Sequence, residues 1–460
     1  GNTYAVTARG STDRYASKML VMIDGRAVYT PAYSGVYWDI HEIPMNDIER
    51  IEVVRGPGSA LWGVNAVNGV INVVTRHADD AQGGLAVASA GDQLNNEVIL
   101  RWGGTIGDPA AYRVYLQSKD RDGNQDTVGN AIEDTAEQLR LGGRIDWQLN
   151  NTDTVMLTAD AYDIVSGATF NILTLGESVG RFRNDGETTS EGYSSLGRWS
   201  RTRANGSETA IQAYVDSMDR VDPIWGEDKY TVEVELQHRS LSWEGHDLIG
   251  GLTVRYHDVE LKGSEAQALD DAFHDNLIAS VFLQDEMGLL DDRLTLTLGA
   301  KLEHNDNSDS DLEFMPSARL LWSIDSQSSV WASVARSVRS PAIAEQFARL
   351  SVPLEEHFPE NFPDVGLPFI VTLEGTGAMK SEDLTAFEVG IRSQLTRDLN
   401  LDLALYYNEY ENIRWPRFEA IYCKPSMELF PACLTDPSND YLEINTELAN
   451  GSKSESIGAE

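Results

Sequence analysis

The sequence predicts a mainly β protein: a transmembrane, antiparallel, up-and-down β-barrel preceded by a small mixed α/β domain. Three observations predict it. From about residue 84 onward, apolar and polar residues alternate along successive segments, which is typical of strands with one face in an apolar environment. Short polar turns and long connections alternate along the same region. No stretch approaches the roughly 20 apolar residues of a membrane helix, so a crossing of the bilayer must use strands.

The alternation is clearest in TVEVELQ (231–237), where Val232, Val234 and Leu236 share one face, and Glu233 and Glu235 the other. The segments RLTLTLGAKLEH (293–304) and LDLALYY (401–407) repeat the pattern with leucine. Counting such segments gives about sixteen strands, and ~9–11 residues are enough for a tilted strand to cross a bilayer. The region therefore has the strand lengths of a membrane barrel.

The connections between these segments differ in length in an ordered way. Short turns are expected at 149–153, 203–207, 242–247, 289–293 and 396–400, whereas 168–190, 261–273 and 341–380 are expected to be long loops. A barrel in an outer membrane has short turns at one end and long loops at the other. A soluble β-sandwich, the alternative fold, rarely contains structureless loops of about 30 residues.

The net charge excludes one class of partner. Asp and Glu outnumber Lys and Arg 73 to 36, and the formal net charge of the 460-residue chain is −37. Nucleic-acid binding needs a basic surface that displaces counterions from phosphates, so we expect no nucleic-acid partner. One explanation of the acidic excess is a surface adapted to high salt.

The two cysteines, Cys423 and Cys433, lie close together in a polar, proline-containing segment, CKPSMELFPAC. This spacing favours one local disulfide within a loop, formed in an oxidising compartment. The alternative is two free thiols. We predict no metal site, because the histidines are scattered and His357, in the long 341–380 segment, lacks neighbouring ligands.

The first 80 residues follow a different pattern. MLVMIDGRAVY (19–29) indicates two strands joined by an Asp-Gly turn, and IERIEVV (48–54) and GVINVVT (69–75) indicate two more. The glycines between the last two strands are not spaced as in a nucleotide-binding loop, and no lysine follows them. They predict a tight turn around Pro57 and then one helical turn at SALWG, with Ser59 as its N-cap.

Three motifs in this domain, VTARG (6–10), LVMIDGRAVY (20–29) and IERIEVVRGPGSALWGVNAVNGVINVVTR (48–76), resemble the plug domain of TonB-dependent outer-membrane receptors in order and spacing. The resemblance implies a plug at 1–77 inside the barrel lumen, a linker at 78–83 and a receptor barrel at 84–460. The residues that carry the plug signature are Arg9, Gly10, Asp24, Gly25, Glu49, Arg50, Glu52, Arg55, Gly56, Pro57, Gly63, Gly69 and Asn72.

The family closes a barrel of about 22 strands, so the resemblance implies further strands beyond Glu460. It also implies a TonB box and the first part of the plug ahead of the motifs, so both ends are expected to be truncations. The implied localisation is the outer membrane of a Gram-negative bacterium, as a multi-pass barrel that acts as a monomer. The implied partners are TonB, outer-membrane lipid and lipopolysaccharide, and a small-molecule chelate.

The function implied by the resemblance is TonB-dependent active uptake of a scarce substrate, with an iron–siderophore complex as the leading candidate. The alternatives are cobalamin, haem, another metal complex or a carbohydrate, taken up by the same mechanism. A passive porin or adhesin barrel is a more remote alternative, since a porin needs an open lumen. The protein is not expected to be an enzyme or to carry a cofactor.

The candidate substrate-contacting segment is VYTPAYSGVYW (28–38), which follows the hairpin where the family places an apical plug loop. Aromatic side chains offer flat amphipathic surfaces to ring-bearing chelates. The candidate residues are Tyr29, Tyr33, Ser34, Tyr37 and Trp38. The alternative is that two or three of these aromatics pack against the barrel wall.

A second hypothesis concerns the charges of IERIEVVR. Glu49, Arg50, Glu52 and Arg55 are expected to pair with wall residues such as Glu233, Glu235, Lys301 and Glu303, and so to hold the plug reversibly. The alternative is that they are solvated charges on a strand face. The segment SVRSPAIAEQF (337–347) resembles an RxPxxxExF strand-end pattern of the family, and it does not identify the substrate.

Overall fold

The computed structural model describes residues 6–9, 17–125, 129, 132–175, 179–241, 243–263, 267–269, 273–291, 293–310, 312–353, 369–431 and 441–460. Among these residues, no helix is long and apolar enough to cross a membrane. Strands dominate the described chain, and they form two sheets, a small one near the N-terminus and a large one that makes the barrel.

The elements of the first 81 residues are β1 (Met19–Ile23), β2 (Arg26–Ala27), two 3-10 helices (Trp38–Ile40 and Met45–Asp47), β3 (Ile48–Arg55), α1 (Ser59–Trp62), β4 (Gly69–Thr75) and a third 3-10 helix (Ala78–Ala81). The remaining elements are β5 (Gly83–Ser89), β6 (Leu94–Thr105), β7 (Ala110–Arg121), β8 (Ala136–Gln148), β9 (Asp153–Leu175), β10 (Val179–Thr202), β11 (Glu208–Val221), β12 (Gly226–Ser240), β13 (His246–Lys262), β14 (Gln267–Leu269), β15 (Phe273–Leu289), β16 (Leu294–Asn305), β17 (Glu313–Ser323), β18 (Ser328–Arg339), α2 (Ile343–Phe347), β19 (Ala348–Pro353), β20 (Phe369–Glu374), β21 (Glu382–Gln394), β22 (Asn400–Lys424), β23 (Glu428–Leu429) and β24 (Tyr441–Ala459).

The small sheet has the strand order β2-β1-β4-β3, with β1 parallel to β4 and the other pairs antiparallel. The Asp-Gly turn between β1 and β2 is as predicted, because Asp24 and Gly25 both have positive φ, 51° and 87°. The Asp24 carboxylate accepts hydrogen bonds from the backbone N–H of Thr75 (2.8 Å) and from its hydroxyl (2.7 Å). The turn is thereby tied to the end of β4.

The helical turn at SALW is present as α1, but the predicted cap is wrong. Gly58 is the N-cap residue and Ser59 is the first helical residue. The Ser59 hydroxyl donates to the carbonyl of Ala66 at 3.3 Å. The hydroxyl therefore stabilises the return of the chain toward β4, and it does not cap the helix.

The large sheet is an antiparallel meander of sixteen strands within the described chain: β5 to β13, β15 to β18, β21, β22 and β24. This number agrees with the predicted one. The short strands β14, β19, β20 and β23 lie in the connections, where β14 pairs with β19, β19 with β20, and β20 runs parallel to β24. The meander forms a barrel, as the alternation of the sequence predicts.

The burial of alternating residues shows which face of the sheet is outside. Val234 and Leu236 are 50% and 39% exposed, whereas Glu233 between its apolar neighbours is 2% exposed. On β16, Leu302 is likewise exposed and the adjacent Lys301 is buried. Apolar residues face outward and polar residues face the lumen, as expected for a barrel in lipid. A soluble sandwich would bury the apolar face instead.

The two ends of the barrel differ, as predicted. The connections 106–109, 149–152, 203–207 and 241–245 are short, and the opposite end carries 122–135, 263–272 and 340–381. The expected loop at 168–190 is wrong, because β9 and β10 stay paired up to Val179 and Leu175. The alternation of apolar and polar residues ends where a strand leaves the lipid. Backbone hydrogen bonds between two strands do not need that alternation, so the pairing continues beyond it. The expected 341–380 loop contains α2, β19 and β20.

The small N-terminal sheet lies inside the barrel as a plug, because wall strands contact it from all around the lumen. The contacts join β7 to Asp47, β8 to Thr75, β10 to Asp24, β11 to Arg26, β12 to Tyr37, β18 to Asn65, β21 to Arg9 and β22 to Asn68. The arrangement that the resemblance implies, a plug within a barrel, is confirmed.

Candidate functional site

Buried ion pairs hold the plug to the wall. Asp47, at the end of the second 3-10 helix, is 1% exposed and accepts hydrogen bonds from Arg101 on β6 (2.9 Å) and Arg113 on β7 (2.7 Å). On the other side of the lumen, plug residue Lys18 pairs with Glu382 on β21 at 3.2 Å. Charge-assisted hydrogen bonds of this kind are the stronger ones in proteins, so these pairs give the plug a defined seat.

The hypothesis that the charges of IERIEVVR pair with Glu233, Glu235, Lys301 and Glu303 is wrong. Arg50 pairs with Glu49 (3.2 Å) and Glu52 (2.8 Å) of its own strand, and all three side chains are about half exposed. Arg55 pairs with Glu460 at 3.0 Å. Arg50 and Glu52 are two residues apart and share one face of β3, so they reach each other directly. The wall residue Glu233 instead pairs with Arg255 of the neighbouring wall strand.

Two glycines of the plug signature stand where wall side chains approach the backbone. An added Cβ at Gly56 would lie 2.5 Å from the Glu388 carboxylate and 2.8 Å from the Arg9 guanidinium, which pair there. An added Cβ at Gly63 would lie 2.5 Å from Glu303 Oε2. Both glycines also have positive φ, near 90°, which disfavours any other residue.

The rest of the signature has other roles. Asp24 and Gly25 form the hairpin turn, and Asn72 donates to Glu52 at 2.9 Å. This hydrogen bond, with that from Arg50, holds the pKa of Glu52 below its usual value. Gly69 lies against the carbonyl of Val54. Gly10 lies outside the described residues.

The candidate substrate loop, residues 28–38, stands at the barrel end that carries the long connections. Its tip is closed by a bridge between Thr30 and Gly35, whose backbone hydrogen bond is 2.9 Å long. Ser34 has a φ of 61° in this turn. The tip therefore has a defined shape.

Two wall residues hold the base of this loop. Glu227, the second residue of β12, is completely buried and accepts hydrogen bonds from the hydroxyls of Thr30 and Tyr37, the latter at 2.9 Å. Arg220 on β11 stands 4.3 Å from the centre of the Tyr37 ring and donates to Asp39 at 2.8 Å. Burial, followed by the charge of Glu227, raises the pKa of Tyr37 well above its ordinary value. Tyr37 thus remains a neutral donor.

The five candidate residues of the loop separate into two groups. Tyr29 and Ser34 are buried, and Trp38 packs against buried apolar side chains of the plug, including some on β1 and β4. Tyr37 is bound to Glu227. Tyr33 is half-buried at the tip, with its ring 4.8 Å from that of Tyr37 in an edge-on arrangement. Of these aromatics, Tyr37 contacts the wall, Tyr29 and Trp38 pack within the plug, and Tyr33 lies at the tip.

Sequence reasoning missed Trp225, Arg220 and Glu227. The ring of Trp225 lies 6.1 Å from that of Tyr33, so the two form an aromatic surface that joins plug and wall. The available signal was the isolated tryptophan in the polar connection VDPIWGED (221–228). Nothing in the sequence places that connection above the plug loop.

The remaining candidates lie in or near segments outside the described residues. Cys423 is buried, and Cys433 lies outside the described residues, so their pairing stays a prediction. His357 also lies outside. In the part of the chain that the structure describes, no group of three or more His, Cys, Asp or Glu could hold a metal ion.

Both parts of the chain are similar to known proteins. The family model described as "TonB dependent receptor-like, beta-barrel" matches residues 78–414, and that of the "TonB-dependent Receptor Plug Domain" matches residues 1–70. An iron-regulated outer membrane virulence protein of Vibrio cholerae is 25% identical over 432 residues, covering 86% of this chain and 61% of that protein.

Two further comparisons bear on the substrate and the fold. The vitamin B12 transporter BtuB of Vibrio vulnificus is 34% identical over 97 residues, which is 21% of this chain and 15% of that protein. The siderophore receptor PirA from Acinetobacter baumannii superposes with a TM-score of 0.72 at 16% identity, covering 96% of this chain and 69% of that chain. The chain thus spans less than two thirds of the curated relatives that it matches.

Proposed function

The chain belongs to the TonB-dependent receptors, proteins of the outer membrane, and on this premise we propose that it imports an iron–siderophore complex by active transport. One observation carries the transport part: a folded plug fills the lumen and is held by buried contacts around the wall. A substrate cannot diffuse past such a plug, so passage requires its displacement. A passive porin does not fit this arrangement.

The substrate part of the proposal is supported by two relatives. One relative that matches over most of the chain is described as iron-regulated, and PirA is described as a siderophore receptor. Vitamin B12 transporters of several bacteria match over 97 to 127 residues, so cobalamin is the second candidate, ahead of haem, other metal complexes and carbohydrates. We propose that the complex rests on the Tyr33–Trp225 surface, since paired aromatics suit the flat chelating groups of such ligands.

The proposed transporter has three kinds of partner and catalyses no reaction. TonB would supply the force through an N-terminal box, and the exposed apolar face of the wall would contact outer-membrane lipid and lipopolysaccharide. The receptor would work as a monomer, without a cofactor and without nucleic acid. It would catalyse no reaction, because its task is binding followed by displacement of the plug.

The test is uptake by cells that lack other receptors for the probes. Cells with the full-length gene should take up iron-55 from a siderophore complex, and uptake should stop in a strain without TonB. Uptake that persists without TonB would contradict active transport. Uptake of labelled cobalamin in place of iron would contradict the substrate, and would leave the mechanism standing.

The aromatic surface is tested separately. Tyr33→Ala and Trp225→Ala should each weaken binding of the iron complex about tenfold, since one aromatic contact contributes roughly 0.5–1.5 kcal/mol beyond its buried area. Trp243→Ala is the matched control, because Trp243 lies in a short turn at the opposite barrel end and is 66% exposed. Equal effects of all three substitutions would remove the proposed contact surface.

A further inference from the structure

The segment Ser337–Phe347, SVRSPAIAEQF, has no role in the function proposed so far. It leaves the wall at the end of β18, crosses toward the plug and turns into α2. We call residues 337–347 the arch. Strand β19 begins at the next residue, Ala348, so the arch joins the wall to the long segment between β18 and β21.

The arch holds the tip of the substrate loop. The N–H groups of Ile343 and Ala344 donate to the carbonyls of Pro31 and Ala32, each at 2.9 Å. These donors belong to the first turn of α2, where they have no partner within the helix. Ser34 adds a hydrogen bond from its hydroxyl to the carbonyl of Ser340, at 3.4 Å. Apolar packing of Ala32 with Ile343, both completely buried, completes the contact.

These contacts lie on both sides of Tyr33 in the sequence. Its preceding neighbour Ala32 accepts from α2, and its following neighbour Ser34 donates to the arch. The backbone on each side is therefore held, and the Tyr33 side chain remains half-buried and turned toward Trp225. The position of the presented aromatic depends on the arch.

The arch also contacts a second plug segment. The N–H of Asn65 donates to the carbonyl of Val338 at 2.9 Å, and the Asn65 side-chain oxygen accepts from the N–H of Ser340 at 3.1 Å. Asn65 has a φ of 72°, a conformation that asparagine tolerates better than most residues. The arch is thus held at its start by Asn65 and at its end by the substrate loop.

A buried ion pair closes the arch. Arg339 is 1% exposed, and its guanidinium lies 2.5 Å from Glu345 and 3.6 Å from Glu382. The other oxygen of Glu345 accepts from the N–H of Ala342 at 2.9 Å, and Arg414 on β22 also pairs with Glu345. The carboxylate therefore connects both ends of the arch and sets the orientation of α2.

We propose that the arch positions the substrate loop for binding, with Arg339 and Glu345 as positioning residues that act on the ligand through Tyr33. The inference rests on the proposed function, because it specifies how the same site is held. It assigns a task to the motif residues Arg339 and Glu345, which otherwise lie outside the contact surface. Without the Arg339–Glu345 pair, the N–H groups in the first turn of α2 would no longer be oriented toward the carbonyls of Pro31 and Ala32.

The test compares binding by the full-length receptor in detergent. The probes are the iron-55 complexes of a trihydroxamate and of a tricatecholate siderophore, and the measured quantity is the dissociation constant. Glu345→Gln keeps the shape of the side chain and removes its charge, and we expect it to weaken binding severalfold, up to the roughly tenfold loss expected for Tyr33→Ala. Arg392→Gln is the matched control, since it breaks an exposed wall pair with Asp402, and it should leave the dissociation constant unchanged.

A double substitution separates positioning from a general structural role. In the Tyr33→Ala background, Glu345→Gln should cause less than a twofold further loss, because both changes remove the same contact. Should Glu345→Gln fail to fold, Asn65→Gly offers a milder variant, which keeps the backbone conformation and removes the side-chain hydrogen bonds between Asn65 and Ser340. It should weaken binding severalfold, again without further effect in the Tyr33→Ala background.

The outcomes are distinct. A wild-type receptor that binds neither iron complex contradicts the proposed function. A wild-type receptor that binds while Glu345→Gln or Asn65→Gly leaves the dissociation constant unchanged contradicts the positioning role. Losses that multiply in the Tyr33→Ala background contradict it as well, since they would show that the arch acts on binding independently of the aromatic contact.

Discussion

The buried ion pairs of Asp47 with Arg101 and Arg113 stabilise the seated plug, so their loss should favour plug opening. Asp47→Asn replaces a carboxylate that accepts from Arg101 and Arg113 by a neutral amide of the same shape, in a site where Asp47 is 1% exposed. Removing one partner of a buried ion pair costs about 3–5 kcal/mol. Because Arg101 is 13% exposed and water can reach it, we take the lower end, ~3 kcal/mol.

This loss should appear in the free energy of plug opening. At 1.4 kcal/mol per factor of ten, ~3 kcal/mol raises the population of the opened plug by roughly 100-fold. The assay is amide hydrogen exchange of the peptides that cover β3 and β4, in the full-length receptor in micelles, where exchange reports local opening. A cycle with Arg113→Gln should show strong coupling between the two positions.

The control is Glu52→Gln, which breaks a pair with Arg50 on the exposed side of β3. Exposed pairs contribute about 0–1 kcal/mol, so exchange should change little. The reasoning would be refuted if Asp47→Asn opened the plug no more than Glu52→Gln does. That result would mean that the seat of the plug comes from packing and backbone contacts, and that buried charge contributes nothing measurable.

Two further predictions concern the same plug. Burial, followed by the charge of Arg26, holds the pKa of His41 well below its ordinary value of 6.5 in the seated plug. Below about pH 6.5, His41 therefore binds a proton when the plug is open but stays neutral when the plug is seated. Lowering the pH from about 7.5 to 5.5 should therefore favour plug opening, measured as hydrogen exchange corrected for intrinsic rates. His41→Gln should flatten this pH dependence of opening, and an unchanged dependence would exclude His41 as the cause. Gly63→Ala should destabilise the seated plug by about 1–3 kcal/mol, because φ is 88° and the new Cβ would meet Glu303. Gly91→Ala, where nothing lies within 4 Å, is its control, and equal melting temperatures for the two variants would contradict the argument.

The alternation of the sequence was enough to predict the barrel and the sidedness of its wall. Val234 and Glu233 are adjacent in sequence and face opposite sides, because side chains alternate along any strand. The plug motifs were likewise sufficient for the hairpin at Asp24 and Gly25. These are local properties, and local spacing predicts them.

Partners across the lumen could not be predicted in this way. Arg9 pairs with Glu388, 379 positions away, and Asp47 with Arg113, 66 positions away. The expected partners of Arg50 and Glu52 on the wall were wrong, because the facing strand depends on the radius and shear of the barrel. Neither quantity can be obtained from the pattern of a single strand.

The substrate loop shows the same division. Its aromatic composition was visible in the sequence, and so was the RxPxxxExF pattern of the arch. Tertiary packing decided that Tyr29 is buried in a cluster of plug residues, whereas Tyr33 lies half-buried beside Trp225.

By itself, the sequence determined the class of the protein, the alternating wall and the plug hairpins, because these depend on periods of two and on local turn chemistry. The tertiary structure alone decided which charges seat the plug and which aromatic lies at the tip of the candidate substrate loop. Those choices depend on the register of strands hundreds of residues apart, and on hydrogen bonds that form only once the plug is inside the barrel.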